Sequence, residues 1–219
     1  MSFMTEPPPG STKPAAGPPP GSMTKRAAQG QATREQLIEV ATRLFAEQGY
    51  EDTSIEAVLA AAGVSRGALY HHFAGKDALF EAVLATVENR VLAQLEQVTR
   101  DAPDAVATLY AAALGWIDLA GDPVIQRIVL IDAPSVLGWE RWRAMNEQHA
   151  LGSVRAILHA VAAEGRLAPE LVGPFAHMIL AALDEMTLVI ARAEHPAKAM
   201  SEGRAAVEEL LRRVVTPRP

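Results

Sequence analysis

Several side chains able to bind an anion share one stretch, TSIEAVLAAAGVSRGALYHHFAGK, from Thr53 to Lys76. Thr53, Ser54, Ser65 and Tyr70 bring hydroxyls, Arg66 a guanidinium, His71 an imidazole and Lys76 an ammonium. Groups of this kind donate hydrogen bonds to anionic oxygens. Covalent chemistry needs other arrangements: the chain has no HExxH and no GxGxxG, and GVSRG at 63–67 spells G-x-S-x-G but lies between two expected helices, not on the strand-to-helix turn of a nucleophile elbow. Gly75-Lys76 misses the upstream glycine and the following Ser or Thr of a phosphate loop. His71 and His72 diverge around a helix and cannot share one metal, and Asp184-Glu185 diverge in the same way. A binding protein is expected, not an enzyme, with no cofactor and no metal.

Two short helices meeting at a corner would position these groups. Thr53 is placed to cap the first, with Glu56 three residues later completing a capping box. Ile55, Val58 and Leu59 give that helix an apolar face. Gly63 supplies the positive φ of a sharp exit, and Val64 plugs the angle behind it. Ser65 caps the second helix, which carries Arg66, Tyr70 and His71 on a surface otherwise made of Gly67 and Ala68. Phe73 is the core plug, and Lys76 opens the next helix, whose free N–H groups add to its charge. The spacing fits a helix-turn-helix, whose second helix enters a DNA major groove. It fits an αα-corner in any helical domain equally well.

The residue types separate the two. The chain resembles the DNA-binding region of TetR-family transcriptional regulators, with a helix ending F-x-x-x-G-Y, then T-[ST], A-G-V-S-x-G-x-[LI]-Y-x-[HY]-F and a lysine soon after. Phe45, Gly49, Tyr50, Thr53, Ser54, Ala62 through Gly67, Leu69, Tyr70, His72, Phe73 and Lys76 carry the resemblance. Leu59 departs from it, standing where the family commonly has alanine. The resemblance implies a sequence-specific regulator, a repressor by preference. On that reading Thr53, Ser54, Tyr70, His71 and Lys76 contact phosphates and set register. Ser65, Arg66 and Ala68 face the bases, Arg66 being the side chain able to read guanine bidentately. Gly67 lets the backbone come close.

Composition bounds the rest. Of 219 residues 49% are hydrophobic and only 5% aromatic, which favours helix over sheet. The absence of cysteine excludes disulfides and thiolate metal sites and is consistent with a reducing cytosol. No apolar run approaches the ~18 residues of a membrane span, and the N-terminus has no signal-peptide core, so a cytoplasmic protein is expected. The net charge is −6. Between Thr24 and Phe80 six basic residues meet seven acidic ones, which predicts weak non-specific DNA affinity and a shallow salt slope.

The expected architecture is all-α, with about nine helices in two parts. Residues 1–23 form a Pro/Gly-rich disordered tail, followed by Lys25 and Arg26 as a basic arm or a solvated pair. Residues 31–91 form the DNA-binding domain, with the motif at about 54–73, and 92–219 a helical ligand-binding and dimerisation domain. A first helix is expected over 31–48, a long one over 76–99, single helices over 139–164 and 169–193, and a last one over 199–215. The last repeats Met200, Gly203, Val207, Leu210 and Val214 at bundle spacing, so Val207, Leu210 and Val214 are candidate homodimer contacts. Internal core is the alternative for the same stripe. Trp116, Trp139, Trp142, Met145, His149 and Met178, with the polar singletons Asp118, Asp132, His177 and Asp184, have the composition of a pocket for a small apolar or amphipathic effector.

Overall fold

In the computed structural model, which describes residues 20–119, 121–146 and 150–215, the chain is helical and no strand occurs among the described residues. The first helix, α1, spans Pro20–Gln48 and so begins well before the expected position 31. Proline is tolerated at a helix start, Ala27 and Ala28 are strong formers, and the single Gly30 costs only about 1 kcal/mol. Residues 20–23 of the expected tail therefore belong to α1; residues 1–19, and the side chains of Lys25 and Arg26, lie outside the described residues.

Leu37, Ile38, Ala41, Leu44 and Phe45 bury one face of α1. Against it pack α2 (Ile55–Ala62), α3 (Arg66–His72) and the start of α4 (Lys76–Thr99). The inward stripe of α4, from Leu79 and Phe80 to Val87 and Val91, continues into Ile125, Ile128, Val129 and Leu130, so the head shares its core with the segment just beyond position 122. That segment comprises α6 (Pro123–Ile125), a π-helical stretch Gln126–Asp132 and α7 (Ala133–Leu137).

A second core joins α5 (Ala105–Leu119), α9 (Gly152–Ala163), α10 (Val172–Ala191) and α11 (Pro196–Val214). Of the single helix expected over 139–164, α8 (Trp139–Asn146) and α9 are in place, with Ala150 and Leu151 in a π-helical turn immediately before α9 and residues 147–149 outside the described residues. Along α10, Val172, Ala176, Ile179, Leu183, Thr187 and Ile190 turn inward at helical spacing. With its preceding 3-10 turn, Pro169–Ala191 contains an 18-residue window of mean hydropathy 1.4 and is long and apolar enough to cross a membrane, contrary to the sequence expectation. Its inward stripe fills the second core, while Met178 and Val189 stand exposed.

Candidate nucleic-acid interface

The corner between α2 and α3 is built by two serines and a glycine. Ser54, not Thr53, is the N-cap of α2, its Oγ accepting from the Ala57 N–H at 3.0 Å. Ser65 caps α3 in the same way, accepting from the Ala68 N–H at 3.2 Å. Both hydroxyl protons remain available to a phosphate oxygen. Gly63 adopts φ +66° and donates its N–H to the Leu59 carbonyl at 2.9 Å, closing α2. Gln36 of α1 donates to the Ala62 carbonyl at 2.8 Å and ties the same helix end to the core.

The outward face of α3 carries what the sequence placed there. Ser65, Arg66, Gly67, Tyr70 and His71 are exposed and Ala68 is half-buried, while Leu69 and Phe73 anchor the helix from beneath. A Cβ on Gly67 would meet nothing within 4 Å, so the protein itself does not require glycine there. Arg34 lies over the Phe73 ring at 5.5 Å and braces the far end. Lys76 sits half-buried, its ammonium 4.1 Å from the centre of the Tyr50 ring and donating to the Glu51 carbonyl at 3.2 Å. Thr53 is a correction. It is buried, and its hydroxyl donates to the Gly49 carbonyl at 2.7 Å, binding the α1–α2 loop to itself, so its side chain is not placed to touch a phosphate.

Sequence reasoning missed the contact that seats this head on the rest of the chain. Asp132, buried at the end of the π-helical stretch, accepts the Tyr50 N–H at 2.8 Å and pairs with the Arg127 guanidinium at 3.2 Å. Arg127 in turn lies where a Cβ on Gly49 would be, and Gly49 is held at φ +85°. Tyr50 also donates its hydroxyl to Asp77 at the start of α4. Burial, and then this carboxylate, hold its phenol well above the ordinary range, so it remains a donor. The signal in the sequence was a lone carboxylate inside the apolar run IVLIDAP, grouped there with pocket residues.

Of the expected pocket residues other than the polar singletons, only Trp116, Trp142 and Met178 have described side chains. Trp116 is half-buried where the two cores meet, its indole N–H buried without a hydrogen-bond partner. Trp142 packs against the head-side core. Met178 is 62% exposed on α10 and lines no interior, and His177 is exposed beside it. Asp118 pairs with Arg204 at the surface. The side chains of Trp139 and Met145, and His149 entirely, lie outside the described residues. An open groove of about 270 Å³ between α4 and α5, lined by Leu95, Val98, Gly115 and Leu119 among others, includes Asp118 of the expected polar singletons but none of Trp116, Trp142 and Met178. The expected dimer stripe also divides. Val207 is buried with Gly203 and Leu211 in the second core and presents no free face, Val214 packs against it half-buried, and Leu210 points outward.

A serine-capped, small-faced helix held on a three-helix head above a helical domain is the layout of a helix-turn-helix DNA-binding protein. Residues 37–83 match the family described as bacterial regulatory proteins, tetR family, and residues 106–214 match the tetracyclin repressor-like C-terminal domain. A solved TetR-family transcriptional regulator from Pectobacterium atrosepticum is 32% identical, with TM-score 0.75, covering 87% of this chain and 98% of that one. The chain belongs to the TetR family of DNA-binding transcriptional regulators. Another solved TetR-family regulator, from Streptomyces coelicolor, shares the fold at 22% identity, TM-score 0.71, covering 91% of this chain and 98% of that one. Among curated relatives, UidR of Escherichia coli K12 is 33% identical over 69 residues, 32% of this chain and 35% of that protein. The repressor Rv1474c of Mycobacterium tuberculosis is 44% identical over 62 residues, 28% and 33% of the two chains. The chain thus spans about a third of the length of the curated relatives it matches.

Proposed function

We propose that this regulator is a ligand-responsive repressor that binds a palindromic operator as a homodimer in the cytoplasm. The observation that carries the DNA half is the outward face of α3, where small residues flank a single arginine above a rigidly capped corner. Ser54, Tyr70, His71 and Lys76 are the phosphate contacts, and Ser65, Arg66 and Ala68 face the bases, with Gly67 at the point of closest approach. So short a helix reads few base pairs, and two-fold symmetry doubles the site. The exposed apolar side chains of α10 and α11, Met178, Val189 and Leu210, support self-association through those helices. The unpaired indole N–H of Trp116, at the seam of the two cores, supports an effector with an acceptor group on an otherwise apolar body.

Selection of bound duplexes from a random DNA pool tests the reading. The expected product is an inverted repeat bound by two chains, and Arg66→Ala should lose about 1–3 kcal/mol at one base position per half-site. Recovery of no enriched sequence would overturn it. An effector that binds the DNA-incompetent form better by about 1–3 kcal/mol would lower operator affinity roughly 5- to 150-fold, read by titration against tryptophan fluorescence and operator binding together.

A further inference from the structure

Because Ser54 rather than Thr53 caps α2, Glu56 falls one position short of the capping-box place and does not close back on the cap. It accepts instead from the Arg66 guanidinium, joining the first turn of α2 to the first residue of α3. Neither side chain is packed: they are 60% and 64% exposed. Lys76, the other cation between Thr53 and the start of α4, is turned onto the Tyr50 ring and the Glu51 carbonyl. Each cation of the stretch therefore already has a partner within the head.

We propose that Glu56 is a specificity-determining positioning residue, its carboxylate standing in for a DNA phosphate and holding Arg66 until a base edge with two acceptors replaces it. This rests on the reading of α3 as the recognition helix. An exposed carboxylate pair is weak, and so is a single exposed phosphate contact, so exchanging one for the other gains little. A guanine O6/N7 edge engages the planar guanidinium at two points and gains more. Glu56 thus cancels the sequence-independent part of what Arg66 offers and leaves the sequence-dependent part.

The full chain and its Glu56→Gln, Arg66→Ala and doubly substituted forms would be titrated with the operator selected by the wild type and with a scrambled duplex of equal length, over a range of salt. Glu56→Gln is expected to bind the scrambled duplex about two- to fivefold tighter per head. Its salt slope should steepen by about 0.9 per head, with the operator-to-scrambled ratio falling to match. In the Arg66→Ala background the same substitution should change neither quantity. A gain that persists there would mean general repulsion by the carboxylate and would overturn the proposal. So would an unchanged ratio and slope, or a folded Glu56→Gln that no longer binds operator, which would make Glu56 a DNA contact in its own right. A wild type that selects no sequence would instead remove the reading of α3 on which the proposal rests.

Discussion

Alanine at Gly49 and alanine at Gly63 make a matched pair that isolates the seating of the DNA-binding head. Both glycines hold positive φ, +85° and +66°, in which a Cβ costs about 1–2 kcal/mol. At Gly63 the new methyl meets nothing within 4 Å, so that strain is the whole expected penalty. At Gly49 it overlaps the Arg127 guanidinium. The Arg127 side chain is 39% exposed and can swing into solvent, but doing so leaves Asp132, 9% exposed, with the Tyr50 N–H alone. A charge-assisted hydrogen bond of about 1.5–3 kcal/mol, discounted for the exposure of Arg127, makes that loss about 1–2 kcal/mol. Gly49→Ala should therefore cost about 2–4 kcal/mol against about 1–2 for Gly63→Ala in urea unfolding, with unchanged m-values. In an Arg127→Ala background the obstacle is gone, and the two glycine substitutions should cost the same. Equal penalties in the wild type, or an excess at Gly49 that survives the loss of Arg127, would refute the reasoning.

Gly67→Leu should leave the fold intact and raise thermal stability slightly, because its Cβ meets no protein atom and leucine favours a helix by up to about 1 kcal/mol over glycine. The same variant should lose operator binding in a gel shift, and wild-type affinity would contradict close backbone approach. Paired Val189→Asp and Leu210→Asp substitutions, at exposed positions, should yield a folded monomer by sedimentation, whereas a persisting dimer would place the interface elsewhere. Arg212 and Arg213, donating to Glu209 on α11, lower its carboxyl from 4.5 to about 2. A depressed acid contributes stability above its unfolded value and loses it as pH falls, so the contribution should fade between about 4.5 and 2. Acid unfolding of Glu209→Gln should lack that slope component, and since these side chains are largely exposed, high salt should remove the difference from wild type.

The head was legible because its constraints are local. Gly63 must allow a positive φ, Ser65 must cap, and Leu69 and Phe73 must anchor a helix whose other side is small, so type and spacing suffice. Thr53 and Ser54 show the limit of that logic, since either can cap and only packing decides which hydroxyl is buried. Asp132 was visible as a charge in an apolar run, yet its partner, the Tyr50 N–H, stands 82 residues away, and no periodicity reports that distance. On α11 the 3–4 stripe was real, but a stripe does not say which core it faces. Val207 and Leu211 fill their own domain while Leu210, next to Leu211 in the chain, looks out. Met178 shows the same limit, since composition names an apolar candidate without saying whether it faces an interior or, as here, solvent.

The π-helical stretch also has a consequence for which changes this family member can accumulate. An α-helix advances about 100° per residue, and a π turn holds one residue more than an α turn does. Asp132 closes that stretch, and its aim at Tyr50 is set by residue number as much as by residue type. Outward positions such as Ile131 are open to exchange. Loss of a single residue between Gln126 and Asp132 can be taken up by a return to ordinary pitch with the carboxylate still facing the head, whereas loss of a second would turn it by about 100°, away from Tyr50. The segment thus holds its aim through length, with one residue to spare, where the corner between α2 and α3 depends on residue type at each place.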